Sequence, residues 1–310
     1  PLLELDQRLI GNKDTYAVTK KLCEYIWLAR SKSDQIFLIK CAPYPQYRRI
    51  DHERRTIKKF QSQTTCLRPL LDRIKEPVDP PAIVLKYLDD DLLKASAAKW
   101  LTIPEIKYVS KKILEGLSVL HDAGYVHTDI KLNNVLVNYG LESRFTDVQI
   151  SDLESASHIE SQFCKSRPFI GTPIWRSPEA ALGLQWGTPT DIWSFSTMLI
   201  SIIWGNNFFI FNPGVSCFDE AYGVIILTKF HIYFGPFPPP YADLLDERAS
   251  KMLSWIQDTI TSTAMRPLLR ASRREISEED RRFDLKVMTL DPRDRPTARQ
   301  LLSDEWFHGV

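Results

Sequence analysis
Short apolar runs open the chain, and a helical period takes over further on. Tyr16-Ala17-Val18, Ile26-Trp27-Leu28-Ala29 and Ile36-Phe37-Leu38-Ile39 are strand-length, and a Ser33-Asp34 turn signal separates the last two. After Pro43 and Pro45 the period changes. Ile50, Ile57 and Phe60 form a stripe that predicts a helix of about sixteen residues ending near Gln61. Glu53 falls on the same inward face, where a carboxylate needs a cation, and Lys40 at the end of the third strand is the natural partner. Arg48, Arg49, Arg54, Arg55, Lys58 and Lys59 are expected mostly to solvate the other side. Ile83-Val84-Leu85-Lys86-Tyr87-Leu88 predicts another strand, running into Asp89-Asp90-Asp91 as a rim or helix cap.

Thr102-Ile103-Pro104-Glu105 is a capping box with an early proline. The helix it opens carries Ile106, Val109, Ile113, Leu114, Leu117 and Leu120 on one face and stops at Gly124. Tyr125-Val126 and Val135-Leu136-Val137 read as a strand pair holding the loop His127-Thr128-Asp129-Ile130-Lys131-Leu132-Asn133-Asn134. Val148-Gln149-Ile150 is a further strand, ending at Ser151-Asp152-Leu153-Glu154. Thr188-Pro189 caps a helix that is apolar on nearly all sides and therefore central. From 205 to 282 the pattern is less regular, with prolines and aromatics from Phe234 to Tyr241 and then a helical stripe at Leu244, Leu245, Met252, Leu253 and Ile256. Thr297-Ala298-Arg299-Gln300 is a second capping box, opening a short helix to Trp306.

Composition narrows the setting. The 310 residues are 44% hydrophobic and 25% charged, an ordinary globular balance that suits one large domain or two lobes. A net charge of +1 calls for no direct nucleic-acid or membrane partner. Five scattered cysteines without C-x-x-C spacing are expected to be reduced thiols, which places the chain in the cytoplasm or nucleus. The most apolar run, Ile192 to Ile203, is too short and too polar to span a bilayer.

The loop at 127–134 carries the candidate chemistry. Asp129, Lys131 and Asn134 supply a carboxylate, an ammonium and an amide, the set that phosphoryl transfer needs for a hydroxyl, a γ-phosphate and a metal ion. It resembles the protein-kinase catalytic loop H-R-D-x-x-x-x-N, with Thr128 where arginine is usual. Phe37-Leu38-Ile39-Lys40 is similar to the third-strand lysine motif, and Asp152-Leu153-Glu154 to D-F-G. Gly171-Thr172-Pro173-Ile174-Trp175-Arg176-Ser177-Pro178-Glu179 resembles the segment that ends in A-P-E. The resemblance to a protein kinase domain runs from about Tyr16 to Trp306. His127-Thr128-Asp129-Ile130-Lys131, with the string from Thr172 to Glu179, looks like the SR-protein-kinase family in its shorter fungal-type form, and Asp152-Leu153 fits the D-L-G of that family.

That resemblance implies an α+β, two-lobed fold: residues 1–88 as an N-lobe of antiparallel sheet with one helix, and 89–310 as a mostly helical C-lobe. It implies ATP and Mg²⁺ as cofactors. Asp129 would orient the acceptor hydroxyl and Lys131 would offset charge on the γ-phosphate. Asn134 and Asp152 would hold Mg²⁺, and Lys40 with Glu53 would fix the α/β-phosphates. Ile26, Leu38, Leu85, Leu88 and Leu136 would line the adenine side. Glu179 would pair with Arg295, and Asp191 would brace the catalytic loop. The implied partner is the Ser or Thr of a protein, in an Arg/Ser-rich segment, phosphorylated by a monomeric enzyme. With Thr128 in place of arginine, activity is expected without an activating phosphate on the segment.

Three departures bear on activity. Between Leu22 and Ile26, where a glycine-rich turn should cover the phosphates, stand only Cys23, Glu24 and Tyr25, so a tight hairpin is expected. Real degeneration and a few lost codons both account for this. Leu38 replaces the alanine that contacts adenine. Glu154 replaces glycine and either helps hold a metal or lowers ATP affinity and rate. The chain is therefore read as an attenuated serine/threonine kinase, with a catalytically inefficient pseudokinase scaffold as the alternative. A small-molecule kinase is disfavoured by the string Trp175 to Glu179.

Overall fold
The computed structural model describes residues 2–273 and 275–308; Pro1, Arg274, Gly309 and Val310, including the outer ends of the two expected lobes, lie outside the described residues. The chain packs as two compact units. One runs to Asp90 and takes in Leu136–Ala156; the other holds Asp91–Val135 and the chain from Ser157 on. A single break at 88/89 does not describe this packing. The segment 136–156 returns to the first unit because Ile150 exchanges backbone hydrogen bonds with Cys66 and Arg68, each at 2.8 Å.

The first unit is built on a closed antiparallel barrel. Its strands are β1 (Arg8–Gly11), β2 (Thr15–Cys23), β3 (Ile26–Ser31), β4 (Ile36–Cys41), β5 (Leu70–Glu76) and β6 (Ala82–Lys86), in the order β1-β2-β3-β4-β6-β5, with β1 paired to β5. β1 and β5 carry no clear alternation: one is too short to show a period and the other is largely charged. Elsewhere the period of two sorts the side chains. Val18, Trp27, Ala29, Ile39 and Val84 fill the barrel, none more than 1% exposed. Ile26, Leu28, Leu38 and Lys40 face outward in register, Ile26 opposite Lys40 and Leu28 opposite Leu38. Asp72 on β5 is a buried polar residue, 4% exposed. Its carboxylate accepts the Tyr16 hydroxyl at 2.9 Å and the Lys13 N–H at 2.9 Å, and the β1–β2 turn wraps it so closely that a Cβ on Gly11 would lie 2.2 Å from Oδ2.

The helix α1 (Tyr47–Phe60) follows β4 and buries Ile50, Glu53, Thr56, Ile57 and Phe60, the expected stripe with its inward carboxylate. Arg68 is buried beyond it and donates through Nε to the Lys86 carbonyl at 2.7 Å; burial pulls its pKa down to about 10. Lys86 itself pairs with Asp147 on the returning segment.

The second unit is mostly helical. Asp91 caps α2 (Leu92–Ala98) by accepting the Lys94 N–H at 3.0 Å. The Thr102–Glu105 capping box closes on both sides and opens α3 (Ile103–Asp122), whose six apolar stripe residues are all buried. Gly124 ends it at φ +73°, where a Cβ would also meet His158 Nε2 at 2.8 Å. The helix Pro189–Trp204 is buried from Thr190 to Ile202, and Trp193 stacks on Phe211 within the main core. Leu244 and Leu245 do not belong to one stripe with Met252, Leu253 and Ile256. Asp246 interrupts it as the N-cap of the helix Glu247–Thr259, accepting the Ala249 N–H at 2.8 Å. The second capping box, Thr297–Gln300, also forms, but its helix stops at Leu302; Trp306 follows in a separate turn. Among the described residues, no helix is long and apolar enough to cross a membrane.

Asp284, on the helix Glu278–Val287, is fully buried against the Ser196 hydroxyl at 3.2 Å, and burial pushes its carboxyl well above the ordinary range. A raised folded-state pKa means that the neutral acid is favoured in the fold. Its contribution is complete below the unfolded value of about 4 and is lost as pH rises toward the folded value. Asp284→Asn is therefore expected to melt above the wild type at pH 8, with the gap narrowing as pH falls toward 4; thermal melts across that range check it.

Candidate active site
In the second unit, one carboxylate shapes the loop at 127–134. Asp191, near the start of the helix Pro189–Trp204, accepts the backbone N–H of His127 at 2.7 Å and of Thr128 at 2.9 Å, and lies 2.9 Å from His121 Nε2. It thereby holds Thr128 at φ +75°, a left-handed conformation that costs a β-branched residue about 1–3 kcal/mol. Gly171 packs against the same corner: a Cβ there would lie 2.6 Å from the Thr128 carbonyl oxygen.

Held this way, Asp129 is fixed through both of its oxygens. Oδ1 accepts the Thr172 N–H and hydroxyl, each at 3.0 Å. Oδ2 accepts Lys131 Nζ at 2.7 Å and Asn134 Nδ2 at 3.2 Å. Asn134 Nδ2 also donates to the Asp129 carbonyl at 2.8 Å, which turns the amide oxygen away from Asp129. Lys131 reaches the Thr172 hydroxyl at 3.0 Å. The carboxylate, ammonium and amide named from the sequence are thus one hydrogen-bonded group.

Thr172 is a member that the sequence reading quoted within a motif but did not count among the site residues; its signal was its place just after Gly171. Arg176 is another. It donates to the Ile170 and Gly171 carbonyls at 2.6 and 2.9 Å, and burial lowers its pKa while Asp129 works the other way. Further along, Arg295 and Glu179 form a bidentate buried pair at 2.7 and 2.8 Å. The remaining guanidinium N–H groups go to the carbonyls of Thr289, Pro189 and Leu290 at 2.7, 3.0 and 2.9 Å, so the whole donor fork is satisfied.

The first unit assembles a separate charged group. Lys40 Nζ lies 2.8 Å from Glu53, 2.8 Å from Asp152 and 3.1 Å from Glu154. Burial opposes its charge, but the three carboxylates outweigh burial and hold the ammonium above the ordinary lysine range. These carboxylates bring one oxygen each within 4.8 Å of one another, and the cation among them is Lys40. Asp152 sits at φ +66°, and Leu153 beside it is buried.

Register places Ile26, Leu38 and Leu85 on the outward face of the barrel that carries Lys40, with Leu28, unforeseen, among them. Leu88 is buried beyond β6 and Leu136 half-buried on the returning strand Val135–Tyr139, outside that register. The glycine-free hairpin is tight as expected: Cys23 pairs with Ile26 across a two-residue turn of Glu24 and Tyr25.

The family model of the protein kinase domain matches residues 26–307, and the chain belongs to that family. Such domains use ATP with a divalent metal ion. The chain is similar to the serine/threonine-protein kinase shk1/pak1 of Schizosaccharomyces pombe, 27% identical over 71% of this chain and 27% of the relative. It is similar also to the CTD kinase subunit alpha of the same yeast, 26% identical over 73% of this chain and 36% of the relative. A dual specificity protein kinase YAK1 homolog of Arabidopsis thaliana is 34% identical over 49% of this chain and 14% of the relative. The matched chain thus spans little more than a third of the length of these curated relatives at most.

Removing one partner of the Glu179–Arg295 pair leaves a charge buried and unanswered. Glu179→Gln and Arg295→Met are each expected to cost about 3–5 kcal/mol, and the double variant less than their sum; urea unfolding of all three variants measures this.

Proposed function
We infer that the chain is an ATP-dependent serine/threonine protein kinase that transfers the γ-phosphate to a protein hydroxyl. The observation that carries this reading is Asp129, held through both oxygens by Thr172, Lys131 and Asn134 on a loop that Asp191 braces. Asp129 orients the acceptor hydroxyl and Lys131 offsets charge that develops on the transferred phosphoryl group. In the first unit, Lys40 with Glu53 takes the α/β-phosphates, and the apolar face of Ile26, Leu38 and Leu85, with Leu88 and Leu136, takes the adenine side. The metal is Mg²⁺. Asp152 and Asn134 are the residues that would hold it, a carboxylate and an amide whose oxygens are hard donors that suit this ion. When bound, it neutralises phosphate charge.

The finer reading is an SR-protein-kinase type of enzyme acting as a monomer in the cytoplasm or nucleus. His127-Thr128-Asp129 and Asp152-Leu153 support it, and the acceptor is then a serine in an Arg/Ser-rich segment. Turnover is reduced, because the Glu24-Tyr25 turn lacks the glycines that let backbone approach phosphate closely. A second reading, a scaffold without efficient catalysis, draws on that turn and on the Glu154 carboxylate at Lys40.

Peptide phosphorylation with ATP and Mg²⁺ separates the two. The kinase reading expects slow transfer to an Arg/Ser-rich peptide, lost by at least about 10³-fold in Asp129→Ala and in Lys40→Met. Transfer that persists in Asp129→Ala would sink it, and a folded wild type with no transfer would favour the scaffold. A panel of acidic and proline-directed peptides tests the preference for Arg/Ser-rich acceptors.

A further inference from the structure
Glu154 stands where the resembled motif has glycine, and its carboxylate bridges two cations. Oε2 lies 3.1 Å from Lys40 Nζ, and Oε1 lies 3.9 Å from Nη1 of Arg49 on α1. The other carboxylates on Lys40 are placed differently. Glu53 is buried with that ammonium 2.8 Å away, and Asp152 accepts Nζ at 2.8 Å beside the expected metal position. Glu154 combines a close contact to Lys40, a side chain 28% exposed and a neighbouring arginine that is 75% exposed. It can therefore leave Lys40 without stranding a buried charge.

We propose that Glu154 competes with the nucleotide phosphates for Lys40, and that Arg49 receives its carboxylate when ATP binds. This rests on the reading of the first unit as an ATP site. Lys40 Nζ already faces three carboxylates, so a phosphate oxygen that comes to it needs one of them to give way; Glu53 is buried and Asp152 is kept for the metal, which leaves Glu154 as the one to move. The distance to Arg49 is one that side-chain rotation can close. The exchange is non-covalent and reversible. It also couples nucleotide to α1: the helix that gains Glu154 through Arg49 is the helix that keeps Glu53 on Lys40. The competition is felt by ligands with phosphates. Adenosine, which reaches only the apolar face beside Ile26, Leu28 and Leu38, escapes it.

Calorimetric titration of the intact chain with ATP–Mg²⁺ and with adenosine tests this in the wild type, Glu154→Gln, Arg49→Ala and the double variant. Apo melting curves establish that each is folded, and Glu154→Gly replaces the glutamine variant if that one is not. Glu154→Gln is expected to bind ATP about tenfold more tightly and adenosine unchanged. Arg49→Ala is expected to weaken ATP several-fold in the wild-type background and to have no effect when Glu154 is already neutral. A purely structural role would move melting temperature without separating ATP from adenosine, and that result overturns the proposal. So does unchanged ATP affinity in Glu154→Gln. Weaker ATP–Mg²⁺ binding in that variant overturns it in favour of Glu154 as a metal ligand. If adenosine and ATP bind none of the folded proteins, the ATP reading itself falls and the competition falls with it.

Discussion
A carboxylate taken out of water has to be met by donors or a cation, and both units are arranged around that requirement. In the first unit Glu53 turns inward from α1, and Lys40 at the end of β4 answers it. In the second, Asp191 turns inward from the helix Pro189–Trp204 and is answered by two backbone N–H groups of the loop at 127–134. Glu179 is answered by Arg295, whose other donors are spent on three carbonyls. Each answer ties a segment that carries chemistry to one that carries the core. Buried charge thus positions the site, while apolar packing supplies most of the stability.

The departures from the resembled pattern fit within this scheme. Thr128 takes a backbone conformation that costs free energy, and Asp191 offsets it through the Thr128 N–H. No arginine at that position reaches the segment before Thr172; Arg176 fastens it from the other end, through the carbonyls of Ile170 and Gly171. Leu153 fills an apolar slot as phenylalanine would, whereas Glu154 brings a third carboxylate to Lys40. The first substitution conserves packing and the second changes electrostatics, so their consequences differ in kind.

Much of the fold was legible in local pattern. Both capping boxes, the stop at Gly124, the inward face of α1 and the all-round burial of the helix Pro189–Trp204 follow from periodicity and end signals. The strands β1 and β5 were not legible, because one is too short and the other too charged for an alternation to stand out. The stripe drawn through Leu244 and Leu245 overran a cap at Asp246, since apolar spacing cannot tell a helical turn from the turn before it. In the site, Asp129, Lys131 and Asn134 were found because they are close in sequence. Thr172 was missed because its partner Asp129 lies 43 residues away.

The sequence by itself determined which residues could carry charge chemistry, which faces they occupy and, through resemblance, their order along a kinase domain. Periodicity reports the face a side chain takes but not its partner. Tertiary structure alone decided that Lys40 meets Asp152 across 112 residues, that 136–156 returns to the first unit and that Glu154 points at Lys40. These are choices among several cations and several registers. They are settled only when the whole chain buries its apolar surface and every enclosed charge finds its counter-group.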